Sequence, residues 1–141
     1  MTAPVIHPTP EQHDAFMNHE RSGKIHMLNL LKFRDQADYQ PGDVDAEACS
    51  GEEAYRRYGR VAARTIADVG GAIVWSGKPE LLFIGEGEDW DQLILVEYPS
   101  TDAFQQMMEM PTYQAATHHR QAGLAATKLI RCEGVYERSG N

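Results

Sequence analysis

Two polar residues interrupt stretches of the sequence that otherwise have the composition of buried strands. Asn29 lies within the apolar run 24–34, and Glu97 lies near the end of the apolar run 92–98. A buried polar group without a hydrogen-bond partner costs about 1 to 3 kcal/mol, so each side chain needs a partner. Two explanations are open. Each residue completes a hydrogen bond to a helix or across a subunit interface, or each lines a ligand pocket, where Asn29 binds a carbonyl or hydroxyl group.

Glu97 has one further role to consider in such a pocket. An apolar environment disfavours the charged form of a carboxyl group and raises its pKa, which suits a general base at neutral pH. Glu97 is therefore the candidate catalytic residue, and the sequence leaves open whether the protein is an enzyme.

Three tyrosines and one arginine fall on predicted helical faces that are directed at the sheet. Tyr55 and Tyr58 belong to one predicted helix, whereas Tyr113 and Arg120 are seven residues apart and share one face of a later helix. A tyrosine in such a position either packs in the core with its hydroxyl bonded or lines a pocket. Arg120 either forms an ion pair, with Glu97 or with an acid of a partner chain, or anchors the carboxylate of a substrate.

No spacing typical of a metal or nucleotide site occurs in the sequence. His118 and His119 are adjacent, so on a helix their side chains point about 100° apart and do not share one metal ion. There is no H-E-x-x-H motif, no phosphate-binding loop and no complete dinucleotide fingerprint. Cys49 and Cys132 are far apart and outside any C-x-x-C spacing, so we interpret them as free thiols. We therefore expect neither a metal nor a cofactor.

The composition excludes further classes of partner. The formal net charge is −8, and lysine and arginine are scattered rather than clustered, so a nucleic-acid partner is not expected. The apolar runs are far shorter than the ~20 residues that a transmembrane helix needs, so no membrane partner is expected. Residues 1–7 lack the basic start and apolar core of a secretion signal, and the expected location is the cytoplasm.

Capping signals and apolar periodicity predict the helices that carry these residues. Three residues of the capping type precede helical patterns: Thr9, Ser50 and Ser100. The predicted helices run from residue 10 to about 22, from 51 to about 69, and from 101 to about 110. Pro111 ends the last of these, and a short helix from residue 112 to about 121 follows.

Four apolar segments predict strands, and a loop follows the first of them. The strands are residues 24–34, one bent strand that includes 72–75 and 81–84, then 92–98 and 125–132. Residues 35–50 contain Pro41 and Gly42 and show no periodicity, which predicts an exposed loop. Beyond an N-terminal helix, the order is strand, helix, hairpin, split helix, strand.

The predicted sheet has apolar residues on both faces. In the first strand Leu28 and Leu30 face away from Met27 and Leu31, and the strand 92–98 has the same two-sided composition. An antiparallel sheet with one face in water is polar on that face, so both faces here require cover. Helices cover one face, and a second copy of the chain in a symmetric homodimer would cover the other.

Several motifs in their order along the chain resemble one protein family. The matching positions are Tyr55 and Tyr58, Gly70 and Gly71, Tyr98-Pro99-Ser100, Pro111-Thr112-Tyr113, and Arg120. This pattern resembles the domain of unknown function 1330 (DUF1330), over roughly the last two thirds of the chain. The resemblance implies an α+β, ferredoxin-like βαββαβ sheet with helices on one face that forms a dimeric α/β barrel, and it carries no established reaction.

The expected organisation is a helical extension over residues 1–23, a barrel domain over 24–134 and a polar tail over 135–141. We predict a cytoplasmic homodimer that binds, and in one version of the hypothesis transforms without a cofactor, a small apolar or aromatic molecule between sheet and helices. The polar part of that pocket would be Asn29, Tyr58, Glu97 and Arg120. The alternative is a binding or structural module without catalysis, in which the polar residues complete the core and the dimer.

Overall fold

The computed structural model describes residues 4–19, 23–87 and 89–138. Its helices and strands, in chain order, are α1 (Pro10–Met17), β1 (Ile25–Phe33), α2 (Gly51–Asp68), β2 (Ala72–Gly77), β3 (Gln92–Tyr98), α3 (Thr101–Glu109), α4 (Pro111–Gln114), α5 (Thr117–Gly123) and β4 (Leu124–Cys132). The predicted α+β order is confirmed, including the N-terminal helix.

Hydrogen bonds from capping residues explain where the helices begin. The Thr9 hydroxyl accepts a bond from the Gln12 amide at 3.1 Å, and the Gln12 side chain accepts one from the Thr9 amide at 2.9 Å, which completes a capping box. The hydroxyl of Ser50 caps α2 and that of Ser100 caps α3 in the same way, each at 3.0 Å. All three predicted helix starts are therefore confirmed.

The four strands form one antiparallel sheet in the order β2-β3-β1-β4. In the register, Met27 lies opposite Val96 and Arg131, and Leu28 lies opposite Leu95 and Ile130. Because alternate residues of a strand point to opposite faces, Met27 and Leu28 mark the two faces of the sheet.

The helices pack on the face of the sheet that Met27 marks. The buried core there combines residues of the sheet, Ile25, Met27, Leu31, Val96, Tyr98 and Leu124, with residues of the helices, Tyr55, Tyr58, Ala62, Ile66, Phe104 and Met107. Four of these helical residues, Tyr55, Tyr58, Ala62 and Ile66, are spaced three or four positions apart in α2, so they form one apolar stripe that lies along the sheet.

We call the opposite side of the sheet the open face and define it by six apolar residues: Leu28, Leu30, Trp75, Leu93, Leu95 and Ile130. Leu28, Leu30, Leu93 and Leu95 are half-buried by their neighbours, whereas Trp75 and Ile130 are 56% and 43% exposed. The two-sided apolar composition predicted from the sequence is therefore present in the sheet.

Three predicted boundaries are wrong. Residues 81–84 are not a strand: β2 ends at Gly77, and Leu81, Leu82, Phe83 and Ile84 lie exposed in the connection to β3. The short helix predicted from residue 112 to 121 is divided into α4 and α5. The first helix ends at Met17 rather than near residue 22, and residues 20–22 lie outside the described part of the chain.

The N-terminal segment is held against the domain by two arginines. Arg120 of α5 donates a hydrogen bond to the carbonyl oxygen of Ile6 at 2.8 Å, and Arg131 of β4 donates one to that of Phe16 at 3.2 Å. The ring of Phe16 also packs on Phe104, with 5.3 Å between centroids. Within the described residues, no helix is long and apolar enough to cross a bilayer.

Candidate functional site

A chain of aromatic rings lies between α2 and the sheet. The ring of Tyr55 contacts Phe33 and Tyr58, with 5.5 and 5.2 Å between centroids, and Tyr58 contacts Tyr113 at 5.8 Å. The Tyr58 and Tyr113 hydroxyls are 2.8 Å apart and form a hydrogen bond. The spacing of α2 explains this arrangement, because residues three apart lie on the same face of a helix. The structure therefore brings the three predicted tyrosines together.

Burial controls the acidity of Tyr55 and Tyr58. Loss of hydration raises the pKa of Tyr55 to about 12, against a smaller opposite effect of the Arg120 charge. The same cause raises the pKa of Tyr58 well above its usual value. Both hydroxyls stay protonated at neutral pH and are available as hydrogen-bond donors.

Arg120 lies near the tyrosines but binds the N-terminal segment. Its guanidinium donates to the Ile6 carbonyl oxygen, a partner that neither of the predicted alternatives included. Because that oxygen belongs to the backbone, the sequence of the segment contains no signal for the contact.

Asn29 is on the helix-covered face of the sheet, between Met27 and Leu31. Its amide donates to the carbonyl oxygen of Ile94 at 3.1 Å, and less closely to that of Met27 at 3.4 Å. Asn29 is therefore hydrogen-bonded within the sheet, to the neighbouring strand β3, and not to a helix as one of the explanations drawn from the sequence had it.

Glu97 does not share a pocket with Asn29, and that part of the prediction is wrong. It lies opposite His26 of β1 and Ala72 of β2, so its side chain is on the other face of the sheet from Asn29. There its carboxylate lies 3.4 Å from the Lys24 ammonium and 3.2 Å from Nε2 of His26. The predicted ion pair between Glu97 and Arg120 is excluded, because Arg120 belongs to α5 on the helix-covered side of the sheet and Glu97 is on the other side.

An open cleft of about 470 Å³ lies beside the tyrosines, between α2 and the edge of the sheet. Its lining consists of Glu52, Tyr55, Arg56, Gly59 and Arg60 of α2, Lys78 after β2, and Gln92 and Ile94 of β3. Tyr55 and Ile94 connect this cleft to the predicted pocket, because Tyr55 is one of the aromatic rings and Ile94 accepts the hydrogen bond from Asn29. The apolar part of the wall is suited to a ring or alkyl chain.

Positive side chains outnumber negative ones around this cleft. Glu52 lies 3.4 Å from Arg56 and 3.1 Å from Lys78, so one carboxylate is shared between two cations. Arg60 reaches Glu53 at 3.5 Å, and the three cationic side chains are 61 to 66% exposed. The rim therefore carries unneutralised positive charge on flexible side chains, which suits an anionic group.

A second polar network, which the sequence did not predict, fastens the loop 35–50 to the domain. Arg57 donates to the Tyr39 hydroxyl at 3.1 Å, and this hydroxyl forms a second hydrogen bond, with Nδ1 of His119, 2.6 Å away. Arg57 also donates to the carbonyl oxygens of Asp45 and Glu47. The predicted exposed loop is thus anchored to both α2 and α5, and burial is the main cause that lowers the pKa of His119.

The model of the family described as domain of unknown function (DUF1330) matches residues 44–135, which is more than half of the chain. This chain belongs to the DUF1330 family. A protein of unknown function from Rhodopseudomonas palustris is 39% identical, with a TM-score of 0.85 over 96% of this chain and all of that one. The crystal structure of its methylated form gives the same identity and TM-score and is covered over 98% of its length.

The fold is also found beyond the DUF1330 family. A dabb family protein with a ferredoxin-like fold from Mesorhizobium loti is 11% identical over 81% of this chain and 99% of its own length, with a TM-score of 0.50. At that identity the likeness shows the ferredoxin-like fold alone. No curated protein matches the sequence.

Proposed function

We propose that this DUF1330 protein binds a small aromatic or apolar carboxylate in the cleft between α2 and β3. The observation that supports this proposal is that the cleft combines an apolar wall, formed by Tyr55 and Ile94, with a rim of arginine and lysine side chains. An aromatic ring would lie against the wall, while its carboxylate would bind the exposed cations. This proposal makes specific the small apolar or aromatic ligand predicted from the sequence.

The proposal concerns binding rather than catalysis. Asn29, Glu97 and Arg120 have partners within the chain, namely a carbonyl oxygen of β3, the side chains of Lys24 and His26, and a carbonyl oxygen of the N-terminal segment. These contacts favour structural roles for Asn29 and Arg120, as in the non-catalytic alternative, and they place Glu97 outside the cleft. Tyr55 is the predicted ligand-binding residue that lines the cleft.

The test is a thermal-shift screen of aromatic and aliphatic carboxylates, each paired with its uncharged amide. A ligand that binds only the folded state raises the melting temperature, and the carboxylates should act while the amides do not. The double substitution Arg60→Gln with Lys78→Gln should abolish the shift. Arg64→Gln, an exposed arginine of α2 outside the cleft, is the matched control and should retain it.

Two results would contradict this proposal. One is the absence of any shift across the carboxylate series. The other is an equal loss of affinity in the cleft variant and in Arg64→Gln, because general charge attraction rather than the cleft would then explain binding.

We further propose that the functional unit is a homodimer formed through the open face. Trp75 and Ile130 expose apolar surface on this face, and Leu81, Leu82, Phe83 and Ile84 of the adjacent connection are 63 to 89% exposed. Exposed apolar surface of this extent is typical of an interface. A second copy of the sheet supplies an equally apolar surface, so two copies would shield each other.

The location we propose is the cytoplasm, as expected from the sequence. Cys49 and Cys132 are both free thiols in the structure. Free thiols persist where the environment is reducing, as it is in the cytoplasm.

A further inference from the structure

Three side chains distant in the sequence meet at one end of the open face. His26 is the second residue of β1, Glu97 lies opposite it in β3, and Glu137 reaches them from the segment that follows β4. Nε2 of His26 lies 3.2 Å from Oε1 of Glu97 and 3.4 Å from Oε1 of Glu137. The three ligand atoms all lie within 4.8 Å of one another.

We propose that His26, Glu97 and Glu137 bind a divalent metal ion of the zinc type. Zinc bonds to nitrogen and carboxylate oxygen are about 2.0 to 2.2 Å long, so the donor atoms of a tetrahedral site are about 3.4 Å apart. The separations from the His26 nitrogen to both carboxylates match that spacing before any side chain moves.

Burial of the histidine favours the site. His26 is only 9% exposed, so its imidazole is already held in place and loses little freedom when a metal binds. Its second nitrogen, Nδ1, is buried and has no hydrogen-bond partner among the described residues. The close polar contacts of the imidazole are those of Nε2, the nitrogen that faces the two carboxylates.

The donor set determines which metals fit. One imidazole nitrogen and two carboxylate oxygens suit zinc and its neighbours in the first transition row, whereas magnesium and calcium prefer oxygen ligands alone. Three protein ligands leave a coordination position for water or for a further ligand. This site is on the opposite face of the sheet from the carboxylate cleft, so it goes beyond the proposed function.

In the structure, the Lys24 ammonium is the cation between the two carboxylates. Its Nζ lies 3.4 Å from Glu97 and 3.3 Å from Glu137. A metal ion would take over this neutralising role, and Lys24, which is 47% exposed, would move into solvent. The lysine is thus a competitor for the metal, and its removal should strengthen binding.

The test is titration of the purified protein with Zn²⁺ by calorimetry and with Co²⁺ by visible absorption, which reports the coordination of the metal. We expect calorimetry to give about one Zn²⁺ ion per chain. Bound Co²⁺ should give the visible d–d absorption bands of a site with few ligands. Glu137→Gln should weaken binding by at least about tenfold. Loss of a residue that only supports a metal ligand already weakens binding by about that much, and Glu137 would be a ligand itself. This glutamate lies in an exposed segment, so the variant should fold normally.

Two further variants make the result specific. Lys24→Met should bind more tightly than the wild type, and His13→Gln, which removes an exposed histidine outside the cluster, should bind equally well. The proposal is overturned if neither the wild type nor Lys24→Met binds a stoichiometric ion. It is also overturned if Glu137→Gln retains full affinity, because the ion would then bind elsewhere, such as at His118.

Discussion

The hydroxyl groups of Tyr58 and Tyr113 form a 2.8 Å hydrogen bond that joins α2 to α4 above the sheet. Tyr58 is 9% exposed, so its hydroxyl has little access to water if the partner is removed. The bond therefore links two helices through groups that are costly to leave unpaired.

Loss of either hydroxyl should lower the free energy of unfolding by about 1 to 3 kcal/mol. The double variant Tyr58→Phe with Tyr113→Phe should lose less than the sum of the two single variants, because it leaves no unpaired hydroxyl. Urea unfolding measures all three, and Tyr136→Phe, at an exposed tyrosine, should be neutral. Additive losses would show that the two hydroxyls do not depend on each other.

Adjacent residues of β3 should respond differently to the same substitution. Leu95 belongs to the open face, so Leu95→Glu should give a folded monomer. Val96 is 4% exposed under the helices, and Val96→Glu should unfold the chain because a charge there lacks hydration. Sedimentation velocity measures the assembly state of each variant, and circular dichroism shows whether it is folded. The wild type should be a dimer at micromolar concentration, because an interface of this kind buries about 2,000 Å². A folded, monomeric wild type would contradict the proposed dimer.

The burial of His119 should make the stability of the protein depend on pH. Burial lowers the pKa of His119 below 6.5, and the charges of His118 and Arg57 act in the same direction while Asp45 and Asp43 oppose them. The unfolded chain then binds the proton more readily than the folded one. The stabilisation is complete above pH 6.5 and is lost as the pH falls through the lowered pKa.

His119→Gln removes this titration and retains an uncharged side chain that can hydrogen-bond to the Tyr39 hydroxyl in either direction. Its free energy of unfolding should therefore fall less between pH 7.5 and pH 5 than that of the wild type. His13→Gln, at an exposed histidine, is the control that should keep the wild-type profile. If the free energy of unfolding of His119→Gln depends on pH as that of the wild type does, His119 is not the cause of the pH dependence.

Two glycines with opposite surroundings give a test of local packing. A Cβ atom on Gly123 would lie 2.5 Å from the Gly51 carbonyl oxygen and 3.0 Å from the Tyr55 amide, so Gly123→Ala must separate α5 from α2. Gly59 has open space around it in the middle of α2. Gly59→Ala should therefore stabilise the protein by up to about 1 kcal/mol.

Thermal unfolding of both variants measures the difference. Gly59 also lines the carboxylate cleft, so Gly59→Ala should combine a higher melting temperature with weaker ligand binding. If Gly123→Ala is as stable as the wild type, the close contact between the two helix ends does not constrain the fold.

The sequence predicted the fold because its signals are local. The hydroxyls of Ser50 and Ser100 act on amides three residues away, and the apolar stripe of α2 repeats within a single helix. The connection after β2 was mispredicted because Leu81 and Phe83 have strand composition but pair with no strand. Apolar composition alone does not distinguish a buried strand from surface that requires a partner.

The site was harder to predict because the face of a residue depends on strand register. Asn29 and Glu97 both interrupt apolar strands, yet the pairing of Glu97 with His26 puts them on opposite faces. A shift of one residue in register would have reversed that result. The cluster with Glu137 and the bond from Tyr39 to His119 join residues about 40 to 110 positions apart, and no motif spacing reports such contacts.

The two arginines that hold the N-terminal segment both bind carbonyl oxygens of its backbone. Every residue carries a carbonyl oxygen, so these two hydrogen bonds depend on the path of the backbone and not on the side chain at the bonded position. Phe16 adds contacts that do depend on its ring, because the ring packs on Phe104 and against the Arg131 guanidinium. The exposed residues 11–15, between the two anchor points, are therefore where the segment can change in sequence at a low energetic penalty while both arginines continue to hold its backbone.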